Sequence, residues 1–144
     1  MKKRRNSGTS LFLMEMIIIV LFFSVASAVC VQSFVNAHLL DKKTMELNHA
    51  VMIAQSFIEV MRGTDGSIDT FLTSFPYAVQ DRVEGALAYY DKDFEPCTGD
   101  EEGVYAAEMT VLKDNKLKTV TVTVKKTEDD SEIYTLSSTT LVRK

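Results

Sequence analysis

The sequence predicts an α+β fold in which one long N-terminal helix is laid on a four-stranded antiparallel sheet. Three observations predict it. No glycine or proline occurs between Thr9 and Arg62, so nothing local breaks a helix there. The apolar residues keep a helical period as far as Met61 and change to a period of two from Ala86 onward. The strand-like stretches follow one another with short polar turns, which is the pattern of an antiparallel meander.

With 144 residues, the chain has room for one modest domain beside that helix. Its charge is unevenly placed. Four of the sixteen basic residues stand at Lys2, Lys3, Arg4 and Arg5, which leaves twelve bases against twenty acids in the rest of the chain. An acidic body has no electrostatic grip on a phosphate backbone, so direct nucleic-acid binding is not expected.

The first ten residues read as a basic leader. Residues 11–31 then carry one charge, Glu15, and two serines, Ser24 and Ser27, which is the length and composition of a membrane-spanning helix. The basic cluster before it, with Asp41, Lys42 and Lys43 only well after it, predicts a single-pass protein in the cytoplasmic or inner membrane. Its N-terminus lies inside and its C-terminal domain outside. A cleaved secretory signal is the other reading, since Ala26-Ser27-Ala28 fits a small-x-small cleavage site. Glu15 inside the apolar region and the helical pattern that continues past Ala28 both argue against it.

Residues 32–62 form the amphipathic half of the helix. Leu47, Ala50, Val51, Ala54, Phe57, Ile58 and Met61 make one stripe, with Asn48, Gln55, Glu59 and Arg62 on the other side. Gly63 stops the helix, and Arg62 lies in the last turn, where a cation is favoured. His38 and His49 lie about 16 Å apart along such a helix, too far to share a metal.

Residues 63–144 make the extracytoplasmic domain. Gly63-Thr64-Asp65-Gly66 is turn material, Ser67 caps a short helix that runs to Phe75, and Pro76 ends it. Four strands follow: Ala86–Tyr90, Val104–Leu112, Lys118–Val124 and Ile133–Val142. Asp114-Asn115-Lys116 makes the tight hairpin turn between the second and third, and Thr127–Glu132 a longer one. The apolar face of this sheet needs a cover, and the stripe 47–61 is the large apolar surface available for it.

No catalytic constellation is present. The chain has no HExxH, no GxSxG, no CxxC and no glycine-rich phosphate loop, and both histidines fall on the helix, so an enzyme is not expected. Two cysteines, one in each half, give no disulfide framework or zinc spacing. Asp91, Asp93 and Glu95, with Asp100, Glu101 and Glu102 soon after, form an oxygen-rich loop of the kind calcium favours. The loop lacks the glycine and distal glutamate of an EF-hand and reads equally as a solvated surface. No other cofactor is expected.

The N-terminal arrangement resembles the prepilin signature of type IV pilins and of the pseudopilins of type II secretion and competence systems. Those proteins have a short basic leader, a cleavage point, and an apolar helix with glutamate at its fifth position. Counting back from Glu15 places the cut between Ser10 and Leu11, so the mature chain would start Leu-Phe-Leu-Met-Glu. Ser10 stands where the usual pattern has glycine, and the nearest glycine is Gly8. The resemblance implies a pilin-like fold and a structural subunit, pilin-like or a minor pseudopilin, of a filament for secretion, DNA uptake or adhesion. Its partners would be a prepilin peptidase and other pilin or pseudopilin subunits. It makes Leu11 the candidate for N-methylation after cleavage, and it makes Glu15 the residue that sets helix register by pairing with a neighbour's new α-amine. The alternative is a secreted or single-pass binding domain unrelated to filaments.

Overall fold

The computed structural model describes residues 7–64, 67–99 and 102–141. The basic residues Lys2–Arg5, Asp65 and Gly66 of the turn, Asp100 and Glu101 of the acidic loop, and Val142 lie outside the described residues. The first element is helix α1, Ser7–Gly63, in keeping with a stretch that holds no breaker. The chain divides into two compact units, Met1–Lys43 and Thr44–Lys144.

In the first unit, every residue from 8 to 43 is exposed except half-buried Ala26. This helical segment is long and apolar enough to cross a membrane, and none of its most apolar window is buried. Ser24 and Ser33 turn their hydroxyls back onto the helix, donating to the carbonyls of Val20 at 2.8 Å and Val29 at 2.9 Å. Neither hydroxyl therefore needs water, which suits a helix in an apolar surrounding.

In the second unit, α1 is followed by α2 (Ile68–Ser74) and, among the described residues, by six strands: β1 (Val79–Arg82), β2 (Gly85–Tyr90), β3 (Pro96–Cys97), β4 (Tyr105–Asp114), β5 (Leu117–Lys126) and β6 (Glu132–Leu141). The strands are antiparallel in the order β1-β2-β4-β5-β6. The expected count of four is corrected to six. β1 has no buried residue, so it shows no alternation to read, and β3 is two residues long with a proline. β3 pairs with Tyr89 and Tyr90 of β2, which β1 leaves unpaired.

The core lies between α1 and one face of the sheet. Ala50, Ala54, Phe57, Ile58 and Met61 join Ala86, Ala88, Ala107, Met109, Val111, Val120, Val122 and Val124 in one buried cluster. The valines of β5 point inward and its threonines outward, as the period of two requires. Two members of the expected helix stripe differ: Leu47 is exposed and Val51 only half-buried, while Glu46 is buried in their stead. The stripe is rotated because its first turn carries a charged contact. A run of rings, Phe57, Phe71, Phe75, Tyr77 and Tyr90, links α1 through α2 to β2 with centroid separations of 4.8–5.9 Å.

The tight hairpin turn and the helix cap read from the sequence are both formed. Asn115 takes the left-handed conformation at φ 56° that a tight hairpin between β4 and β5 needs. Ser67 caps α2, its hydroxyl accepting from the Thr70 amide at 3.3 Å.

Candidate functional site

The first candidate site lies on the first unit. Ser10, Leu11 and Glu15 are consecutive-turn neighbours on the exposed helix, and Leu11 and Glu15, four apart, share a face. Large exposed side chains surround them, among them Leu11, Phe12, Met14 and Ile18. Glu15 is the sole charge in residues 11–31. A carboxylate among such side chains is costly in hydrocarbon unless a cation reaches it.

The second arrangement stands at the start of the second unit, and sequence reasoning did not find it. Glu46, only 7 % exposed, accepts from the Tyr105 hydroxyl at 3.1 Å and faces Lys126 Nζ at 2.9 Å. Burial, followed by the charge and hydrogen bond of Glu46, pushes the Tyr105 hydroxyl up to about 12. One turn further along α1, His49 stacks on Phe94 at 4.5 Å, and Phe94 stacks on Tyr105 at 4.1 Å. Phe94 has φ 62°, a left-handed backbone that a bulky residue rarely adopts. The sequence signal for Glu46 was its place in the helix at i−4 from Ala50, which a search for apolar residues passes over.

The acidic loop holds Phe94 in place. Asp91 Oδ1 accepts from the amides of Asp93 at 2.8 Å and Glu95 at 3.0 Å, and the Asp91 amide donates to the Glu95 carbonyl at 2.9 Å. The loop thus uses Asp91 to close a turn, while Asp93 faces Lys92 at 3.8 Å. Asp91, Asp93 and Glu95 are not gathered around a common point: among the described residues no group of three or more His, Cys, Asp or Glu is placed to hold a metal. Cys30 and Cys97 are both free, and burial with the nearby charges of Asp91 and Glu102 pushes the Cys97 thiol up.

These features define a class: an α+β protein whose N-terminal helix is long and apolar enough to span a membrane and whose second unit closes a helix-on-sheet core. No family model, curated protein or solved structure matches the chain.

Proposed function

We propose that this chain is a pilin-like subunit, or minor pseudopilin, of a membrane-anchored filament of the type IV pilus or type II secretion kind. The helix inserts with its N-terminus in the cytoplasm, a prepilin peptidase cuts between Ser10 and Leu11, and the new amine at Leu11 is methylated. The trimmed helix then packs against its counterparts, and the sheet unit is displayed outside. A filament of this kind serves secretion, DNA uptake or adhesion.

The observation that carries the reading is the single carboxylate of Glu15 on the apolar, exposed segment of the helix, one turn from Leu11. A plain lipid anchor has no use for that charge, whereas a neighbouring subunit's α-amine would neutralise it and fix the stagger between helices.

N-terminal sequencing of the membrane-extracted protein tests the reading directly. A start at Leu11 supports it. A start at Val29 favours a secreted binding domain, and an intact Met1 favours a simple anchor. The register role has its own test: Glu15→Gln or Glu15→Leu should abolish incorporation into filaments while leaving membrane insertion intact. Unchanged assembly would remove that role.

A further inference from the structure

The sheet face opposite α1 is a second surface with its own chemistry, and none of it enters the filament reading. On this face, from β1 across to the turn between β5 and β6, lies a cavity of about 310 Å³. Its floor is apolar, made by Leu87 and Tyr89 on β2 and Ala106 on β4. The floor is held level by Gly103: a Cβ there would meet the Tyr89 ring at 2.8 Å, so only glycine lets that ring lie where it does.

Charge of both signs surrounds the floor. Glu108 on β4 stands in the middle, with Arg82 of β1 on one side and Lys125 of β5 on the other. The Arg82 guanidinium stops 4.0 Å from Glu108 Oε1, and Lys125 Nζ stops 3.9 Å from Oε2. Charge-assisted hydrogen bonds run at about 2.7–2.9 Å, so neither cation bonds this carboxylate. The Glu108 carboxylate accepts no hydrogen bond from any described residue, although the side chain is only 31 % exposed. Asp130 takes Lys125 at 2.8 Å, and that hydrogen bond pushes the lysine up and keeps it charged. An ammonium has three donors, so Lys125 retains others for the cavity.

The geometry points to a binding site for a small zwitterion of the α-amino-acid type. Its ammonium bonds Glu108, its carboxylate bonds Arg82 or Lys125, and its side chain lies on the floor of Leu87, Tyr89 and Ala106. The fit follows from spacing. The ammonium and carboxylate of one amino acid are separated by a single carbon. Glu108 and each flanking cation are likewise adjacent but too far apart to satisfy one another. A simple anion is disfavoured, because three carboxylates, Asp81, Glu108 and Asp130, face the cavity against two cations. A simple cation would bond Glu108 but leave Arg82 with Asp81 alone, at 3.5 Å.

The test is calorimetric titration of the full chain in micelles at low salt with leucine, glycine, N-acetyl-leucine and leucinamide. Leucine is expected to saturate with a dissociation constant on the order of 1 mM. Glycine, which leaves the floor uncovered, binds more weakly. Each capped derivative loses one charged hydrogen bond and should bind about tenfold more weakly or worse. Glu108→Gln should weaken leucine binding about tenfold while leaving the unfolding midpoint unchanged, since Glu108 makes no hydrogen bond that the fold uses. No saturable heat with leucine up to roughly 20 mM overturns the site, as does equal binding of N-acetyl-leucine or equal binding by Glu108→Gln.

Discussion

Lys118 on β5 donates its ammonium to the backbone carbonyl of Met61, at 2.7 Å, in the last turn of α1. The side chain is buried, and a helix C-terminus is the place where a cation is favoured. The residue that would ordinarily do this from the helix itself, Arg62, is exposed. The sheet, not the helix, therefore supplies the charge that closes α1. Lys118→Met keeps most of the stem's packing and leaves the carbonyl without this donor. A loss of about 1–3 kcal/mol is expected. Urea titration of the full chain in micelles, followed by near-ultraviolet circular dichroism, measures it. Arg62→Met should change stability by less than about 0.5 kcal/mol, as exposed substitutions do.

Glu46 ties the other end of the same helical stretch to the sheet. Its removal strands Lys126 and Tyr105 beside a core. Glu46→Ala is expected to cost about 3 kcal/mol, the low end for breaking a buried pair, because Lys126 retains some access to water. The double replacement Glu46→Leu with Lys126→Met should regain much of that loss, since it leaves no unpaired charge. A double variant as unstable as Glu46→Ala would show that the ion pair is not what this position requires.

Tyr105 predicts an alkaline limb of stability. Its hydroxyl is raised from the ordinary 10 to about 12 in the folded chain. The folded state therefore holds the proton more tightly than the unfolded one. That contribution is whole below pH 10 and is lost as the pH rises through about 12. Tyr105→Phe should flatten the fall in unfolding midpoint across this window. Tyr90, pushed up by burial and by its Tyr77 neighbour, keeps its own share of the slope in both proteins. An identical slope in the variant would count against the assignment.

Phe94 makes the usual order of two substitutions reverse. In ordinary backbone, glycine is less stable than alanine by roughly 0.5–1 kcal/mol. At φ 62° alanine is strained and glycine is not. Both replacements lose the ring between His49 and Tyr105 and should destabilise by about 2 kcal/mol or more. Phe94→Gly should nevertheless be the more stable of the two. If Phe94→Ala is the more stable, the turn does not hold a left-handed residue there.

Much of the architecture was legible in the chain because the signals are local. A run from Thr9 to Arg62 without glycine or proline forms one helix, and Thr-Val alternation in β5 divides inward from outward residues. β1 was not legible because all four of its residues are exposed, so its identity depends on the partner strand rather than on its own pattern. The acidic loop was legible as a cluster of carboxylates. That Asp91 spends its oxygen on two backbone amides follows from the turn's conformation, which composition does not carry.

By itself, the sequence determined the long helix, its exposed apolar half with Glu15 at a definite place, and the antiparallel sheet. Each of these depends on spacing along the chain, where steric and hydrophobic preferences act between near neighbours. Only the tertiary structure decided that Glu46 turns inward to meet Tyr105 and Lys126, that Lys118 closes α1, and that the Glu108 carboxylate stands between Arg82 and Lys125 without a hydrogen bond to either. Those relationships join residues far apart in the chain or on different strands. A buried or half-buried charge is settled by which partners the fold brings to it, and no local period encodes that choice.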